Sequence, residues 1–443
     1  MTNKKPSSKE DVKSSTSVKK PSPKTKKSET DKPKSKIELY KQKISSNPKY
    51  KGRVQVTSAS QFSTPYYLRR PTGVMGLDIA LGGGLPAGGG TQVYGIGSTG
   101  KTYLAFRTAG NVQKNYGDAS CILVACAETR LDKGFARHAG FCVAYEKEEI
   151  EQFDAQRQLM GWPPFTPEEK ADLRYQPGHV EIIRGANGAD LLEGTIEAMR
   201  MVGNDCQLII IDSLGALLTP DQDNKEVGDR TYGGSSGIIT TWQNKSYPLF
   251  MMDNPDGTKL EITILGINQA RAVIDGGPRG PKTRPAAGSH SWAHAQLASI
   301  EMKIGETLYE DSAKTVKNGH EIKWEIRKGK AGTRDGYKGT YSWYHIPKED
   351  PVFWANVQAK SIEYGIDAIT ELVETSKNLG VLRTAGPWLV FSEAGADVHK
   401  IQKGEDFDTV WEKIVHQIAN DSELEARVRM ECLRRTNLVV RYR

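Results

Sequence analysis

Gly95, Gly97, Ser98, Thr99, Gly100, Lys101 and Thr102, in the run GIGSTGKT, have the types and spacing to hold a polyphosphate. Glycines let successive backbone N–H groups turn inward around the phosphates, and the N-terminus of a following helix faces their negative charge. Lys101 can reach the β- and γ-phosphates, and the Thr102 hydroxyl can ligate Mg²⁺. Downstream, the apolar run Leu208–Ile211 ends in Asp212. An acid at the C-terminal end of a core strand can hold a Mg²⁺-bound water. Hydrolysis needs a further carboxylate to orient and deprotonate the attacking water, and Glu128, just past the apolar run 121–126, is the candidate. Without wider context Glu128 also reads as a loop residue that caps the next helix.

These residues need a scaffold, and the surrounding pattern supplies one. A short apolar segment ending at Tyr94 precedes the loop; Leu104, Ala105, Ala109 and Val112 mark one face of a helix after it. Buried-type strands are expected at 121–126, 180–183, 208–211, 262–267, 298–304, 322–326 and 339–346. Leu192, Ile196 and Met199 share a helix face between two of them. Strand–helix–strand alternation predicts a mostly parallel sheet flanked by helices. A helix is expected at 37–44 and a short strand at 54–57, and the Gly-Gly-Gly-Leu-Pro stretch at 82–86 is a turn feeding the first core strand. Residues 143–179, charged and containing Trp162 and four prolines, interrupt the rhythm as an insertion with a small helix.

Length and charge bound the rest. The 443 residues suit two or three domains, and the net charge of +7 is uneven. Residues 1–36 hold twelve lysines against four acids, so +8 lies in that arm and −1 in everything after it. With almost no large apolar residues it is expected to be disordered, and it suits either attraction to nucleic acid phosphates or solubility. No apolar run spans a bilayer and no secretory h-region is present, which favours a cytoplasmic protein without a membrane partner. Cys121, Cys126 and Cys206 lie in or beside apolar strand patterns, and the five cysteines form no CxxC pair, so they read as core thiols. His290 and His294 are spaced for one helix face, but Trp292 between them reads as packing rather than metal binding.

Taken in order, several pieces resemble the bacterial RecA recombinase family, as a bacteriophage or otherwise divergent member. They are Thr72-Gly with Leu77-Asp78 and Leu85-Pro86, the phosphate loop, Glu128 with Leu131-Asp132, Asp212-Ser213 through Thr219-Pro220, Gly228-Asp229, Asn268-Gln269, and Lys328-Gly-Lys330. They cover roughly residues 70–350 apart from the insertion. The resemblance implies a RecA-type phosphate-loop NTPase core, an N-terminal oligomerisation segment at 37–69, and a small α+β C-terminal domain at 351–443 that captures DNA. It implies that Glu128 activates water in ATP hydrolysis with Mg²⁺, while Asp132 and Phe135 contact adenine. Gln269 senses the γ-phosphate. Lys328 and Lys330 reach a neighbouring subunit's ATP, although taken alone they read as a solvated hairpin.

The resemblance also places two DNA-binding loops. The first, 221–237, carries Arg230 and Tyr232; the second, 271–288, carries Arg271, Ile274, Arg279, Lys282 and Arg284. Basic groups there suit a phosphate backbone, and Tyr232 and Ile274 occupy positions that wedge between bases. The implied activity is a DNA-dependent ATPase that forms a homo-oligomeric filament on single-stranded DNA, pairs it with duplex DNA and exchanges strands. A hexameric helicase or translocase on the same core, or a noncatalytic mediator, are the alternatives. Two departures stand out: the 143–179 insertion, and a C-terminus ending in basic Arg434, Arg435, Arg441 and Arg443 where the family often has an acidic tail.

Overall fold

A computed structural model describes residues 35–51, 53–61, 68–128, 131–219, 234–254, 257–273, 282–285, 290–309, 313–330, 332–344, 365–402, 404 and 409–436. The Lys-rich arm up to residue 34, Arg230, Tyr232, Ile274 and Arg279 lie outside them. The chain divides into two compact units, Met1–Gln61 and Phe62–Arg443.

In the first unit, α1 (Lys36–Ser46) starts at a capping box: the Ser35 hydroxyl accepts from Glu38 N, and the Glu38 carboxylate accepts from Ser35 N. No residue of this helix is buried. The strand expected at 54–57 does not form. Alternating valines are not enough where, among the described residues of that unit, no neighbouring strand pairs with them.

The second unit begins with β1 (Arg69–Arg70), α2 (Met75–Ala80), β2 (Leu85–Pro86) and β3 (Gly89–Gly95). It continues through α3 (Lys101–Tyr116), β4 (Cys121–Cys126), α4 (Lys133–His138), α5 (Lys147–Leu159), α6 (Pro167–Arg174), β5 (His179–Ile183), α7 (Gly188–Met201) and β6 (Leu208–Asp212). Then come α8 (Gly234–Met251), β7 (Thr263–Val273), β8 (Lys282–Pro285), α9 (His290–Ala295), β9 (Ala298–Tyr309), β10 (Lys317–Gly329), β11 (Lys338–Tyr344) and β12 (Gly365–Ile366). The main sheet runs β12-β11-β10-β9-β3-β7-β6-β4-β5. Strands β9, β3, β7, β6, β4 and β5 are parallel, and β10 to β12 extend the sheet antiparallel.

The continuous apolar runs follow from burial on both faces. Alternate residues of β6 serve different cores: Leu208 and Ile210 join α3 on one side, Ile209 and Ile211 join α7 and α8 on the other. Each is fully buried, which stabilises the fold by roughly 1.5–3 kcal/mol per side chain. On α3 the expected face is buried, with Leu104, Ala105, Ala109 and Val112 inside and Tyr103 and Phe106 beside them. The five cysteines are free thiols.

The 143–179 stretch holds two helices rather than one, α5 and α6, around a small core of its own: Tyr145, Ile150, Phe165 and Leu173. Arg137 of α4, 1% exposed, clasps this stretch by donating to the carbonyls of Val143, Asp172 and Tyr175 and to the Asp172 carboxylate.

Beyond β12 lie α10 (Ala368–Asn378), a three-stranded antiparallel sheet of β13 (Leu382–Ala385), β14 (Trp388–Glu393) and β15 (Ala396–Gln402), and α11 (Val410–Asn420) and α12 (Ser422–Arg435). Met75 and Ile79 of α2 belong to this lobe's hydrophobic cluster. The buried Glu371 carboxylate of α10 accepts from Met75 N at 2.7 Å and Gly76 N at 2.6 Å, satisfying two N–H groups of the first turn of α2. Apolar packing and a charged cap thus weld the lobe to the core.

Candidate nucleotide and catalytic site

Parallel register decides which residues meet. Gly95 at the end of β3 pairs with Gln269 on β7, and Cys126 at the end of β4 pairs with Asp212 on β6. The carboxyl ends of β3, β4, β6 and β7 therefore line one edge, where open α/β sheets bind ligands.

The phosphate loop turns from β3 into α3 at Gly100, whose φ of +72° is a left-handed conformation that favours glycine. Beneath it, a Cβ on Gly100 would stand 3.3 Å from the Trp343 ring. Gly95 is equally confined, since its Cβ would fall 2.4 Å from the Met302 carbonyl oxygen. Ile96, Gly97 and Ser98 form the exposed crest and Thr99 is buried. Lys101 Nζ donates to the Ile96 carbonyl at 2.6 Å and to Thr99 Oγ1 at 3.3 Å, so its ammonium is held over the loop.

Thr102 Oγ1 donates to Asp212 Oδ2 at 3.1 Å. A hydroxyl beside a carboxylate is a hard oxygen donor set that fits Mg²⁺. Desolvation, together with the nearby Glu128 charge, raises the Asp212 carboxyl against the opposing Thr102 hydrogen bond. Burial lowers the Lys101 ammonium, with Asp212 and Glu128 pulling it back up. Two carboxylates and a lysine crowded into one partly desolvated edge leave excess negative charge that a cation would relieve.

Glu128 stands just beyond β4, with its N–H donating to the Asp212 carbonyl at 3.3 Å. Its carboxylate accepts from Ser213 Oγ at 2.7 Å on one oxygen and from Gln269 Nε2 at 3.1 Å on the other. Three strands thus bring Glu128, Ser213 and Gln269 into one hydrogen-bonded chain beside Lys101 and Asp212.

Asp132 caps α4 by accepting from Phe135 N at 2.9 Å, and Phe135 packs edge-on to Tyr103 and Phe106. Lys328 and Lys330 lie at the end of β10, apart from the Glu128 chain. Their ammonium groups donate to the carbonyls of Ala293 and His294 in α9. Burial and neighbouring Lys330 lower the Lys328 ammonium. Of the basic loop residues, Arg271 falls within β7, and Lys282 and Arg284 within β8, which pairs antiparallel with the end of β7.

Three contributors received no role in the residue pattern read above. Ser213 adjoins Asp212 and fixes Glu128. His320 on β10 bonds through Nε2 to the Ser98 carbonyl at 3.2 Å, bracing the crest of the phosphate loop. Trp343 on β11 underlies Gly100. His320 and Trp343 come from strands more than 200 residues downstream of the loop, and only the sheet order reveals them.

Sheet order and the phosphate loop together define an α/β core of RecA type. The sequence pattern of the RecA N-terminal domain matches residues 38–161, reaching into the two-helix stretch. Protein RecA of Thermus aquaticus is 24% identical over 374 residues, 84% of this chain and 86% of its own length. Protein RecA of Nitratidesulfovibrio vulgaris strain DP4 is 27% identical over 72% of this chain and 71% of its own length. For that of Aquifex pyrophilus the values are 25% and 73% of each chain. The chain is thus similar to RecA proteins along most of its length.

Proposed function

We propose that the chain is an ATP-dependent DNA recombinase that assembles as a filament on single-stranded DNA, pairs it with homologous duplex and exchanges strands. The observation that carries the catalytic part is the Ser213–Glu128–Gln269 chain at the strand edge that also holds the phosphate loop and Asp212. Bound Mg²⁺ and ATP would supply the scissile phosphate and the charge neutralisation that phosphoryl transfer requires. Lys101 and the loop N–H groups bind the phosphates. Thr102 and Asp212 are the residues that would hold the metal.

Glu128 orients the attacking water and takes its proton on a carboxylate oxygen. Ser213 keeps the carboxylate in place, so less reorganisation is left for the reacting state. Gln269 bonds Glu128 in the ligand-free chain, and its amide is the group that exchanges this bond for one to the γ-phosphate. That exchange frees the base when the triphosphate arrives and reports its arrival to the segment after β7. Asp132 and Phe135 border the adenine. Lys328 and Lys330 stabilise charge on a neighbouring subunit's phosphates, as an arginine finger does elsewhere. Arg230, Tyr232, Arg271, Ile274, Arg279, Lys282 and Arg284 contact DNA.

Electron microscopy of the protein with single-stranded DNA and a nonhydrolysable ATP analogue tests this reading. Open helical filaments are expected; closed rings that unwind forked duplex would replace the recombinase with a translocase.

A further inference from the structure

A cavity of about 330 Å³ lies at the seam between the ATPase core and the C-terminal lobe, away from the phosphate loop. One wall is α3, where Arg107, Asn111 and Lys114 recur at helical spacing along one face. The opposite wall is α12, with Glu425 and Arg429 one turn apart. Its floor is apolar, with Met75, Ile366, Ile369 and Leu433 among its residues.

The polar side of this cavity carries more positive than negative charge. Arg107, Lys114 and Arg429 face two acids, Asp78 and Glu425. Asp78 spends its carboxylate on Thr72 N and Thr72 Oγ1, both at 2.7 Å, and on Gly73 N at 3.1 Å. Arg429 Nε donates to Glu425 at 2.8 Å. Against the penalty of burial, Arg429, Lys114 and Arg107 hold the Glu425 carboxyl below its ordinary range, so three cations bear on one carboxylate. Arg107 Nε is buried and has no hydrogen-bond partner among the described residues. Gly73 sits beneath it with φ +84°, and a Cβ there would fall 2.7 Å from both Arg107 Nε and Asn111 Nδ2. Glycine at that turn is what lets both donors lie so close to the backbone.

An apolar floor with a few convergent charged groups, in a space of this size, is the anatomy of a small-molecule site. Guanidinium forks suit oxyanions in particular. We propose that this seam cavity binds a small phosphate-bearing molecule whose oxyanion bridges Arg107 and Lys114 of the core to Arg429 of the lobe. Occupancy ties α3, which begins at the phosphate loop, to the C-terminal lobe. The same phosphate chemistry could come from a DNA backbone, but a cavity of about 330 Å³ recessed between two lobes favours a small free ligand.

Equilibrium dialysis of the full chain against radiolabelled inorganic phosphate tests the site. Wild type is expected to bind one phosphate per subunit more than the K114Q/R429Q variant. Both proteins contain the phosphate loop, so the difference does not depend on the nucleotide reading above. Glu425→Gln, which removes the competing carboxylate, is expected to tighten binding by about threefold or more. Equal phosphate counts in wild type and K114Q/R429Q, or unchanged or weaker binding in Glu425→Gln, would overturn the proposal. So would displacement of the extra phosphate by a duplex oligonucleotide, which would assign the cavity to DNA.

Discussion

Replacing Glu128 by Gln isolates its charge from its place in the structure. The carboxylate accepts from Ser213 Oγ at 2.7 Å and from Gln269 Nε2 at 3.1 Å. An amide keeps one acceptor oxygen and gains an NH₂. The Ser213 hydroxyl can rotate to accept from that NH₂, while Gln269 still donates to the oxygen, so both contacts survive and the folding cost stays below about 1 kcal/mol. The lost function is proton acceptance. Positioned general bases contribute roughly 10²- to 10⁴-fold, so kcat should fall by that factor, about 3–5 kcal/mol in the barrier. Nucleotide binding moves the other way or not at all, because the variant removes a negative charge beside the phosphates. The Asp212 carboxyl, raised in part by that charge, falls back toward its ordinary range. The assay is phosphate release at saturating ATP with single-stranded DNA, alongside titration of a fluorescent ADP analogue. A kcat within about fivefold of wild type would refute the assignment of Glu128 as base. So would a loss of nucleotide affinity as large as the loss of turnover.

Other expectations follow from single contacts. Glu371→Ala strands the buried N–H groups of Met75 and Gly76, at about 1–3 kcal/mol each, so urea denaturation should register a loss of at least about 2 kcal/mol, with Glu371→Gln milder. A loss in the alanine variant under about 1 kcal/mol would mean the lobe is held without this cap. Burial lifts the Asp78 carboxyl from 3.8 to about 6, so its contribution to stability is complete below about pH 4 and is lost as pH rises through about 6. Across that window wild type should lose up to about 3 kcal/mol relative to Asp78→Asn; denaturation midpoints that run parallel in both proteins would contradict this. Lys328→Ala should lower single-stranded-DNA-stimulated ATPase by about a hundredfold or more while the isolated subunit still binds nucleotide, and normal stimulation would remove Lys328 from the interface.

Legibility in the sequence tracked how local the cause was. The phosphate loop, the strands at 121–126 and 208–212 and the buried face of α3 depend on runs of a few residues, and composition alone marks them. Strand lengths were less legible: β7 runs to Val273, β9 to Tyr309 and β10 from Lys317 to Gly329, past the apolar stretches expected at 262–267, 298–304 and 322–326. Those extensions are held by cross-strand pairing, which a neighbour supplies whatever the local hydropathy. Glu371 was invisible for a similar reason. Nothing around it signals a cap for a helix that begins 296 residues earlier. The two-helix stretch at 143–179 hid its second helix behind prolines, although Pro167 sits in the first turn of α6, where its missing N–H costs nothing.

The positions of Lys328 and Lys330 connect the proposed interface to the proposed DNA loop. Both ammonium groups rest on carbonyls near the C-terminal end of α9, where unsatisfied carbonyls and the helix dipole favour a cation. That helix begins at His290, directly after the 271–288 segment read as the second DNA loop. Its Trp292 is buried against Trp242 and donates its indole N–H to Gln92 Oε1 at 2.9 Å on β3, the strand that enters the phosphate loop. On the proposed reading, the lysines must leave the Ala293 and His294 carbonyls to reach a neighbour's phosphates. On that reading, a DNA contact that shifts α9 changes how readily they leave. The partner's nucleotide and the DNA then compete for the same short helix, one through the lysines at its end and the other through the chain at its start. On the proposed function, this is a physical route by which DNA binding alters hydrolysis at a site shared between two subunits.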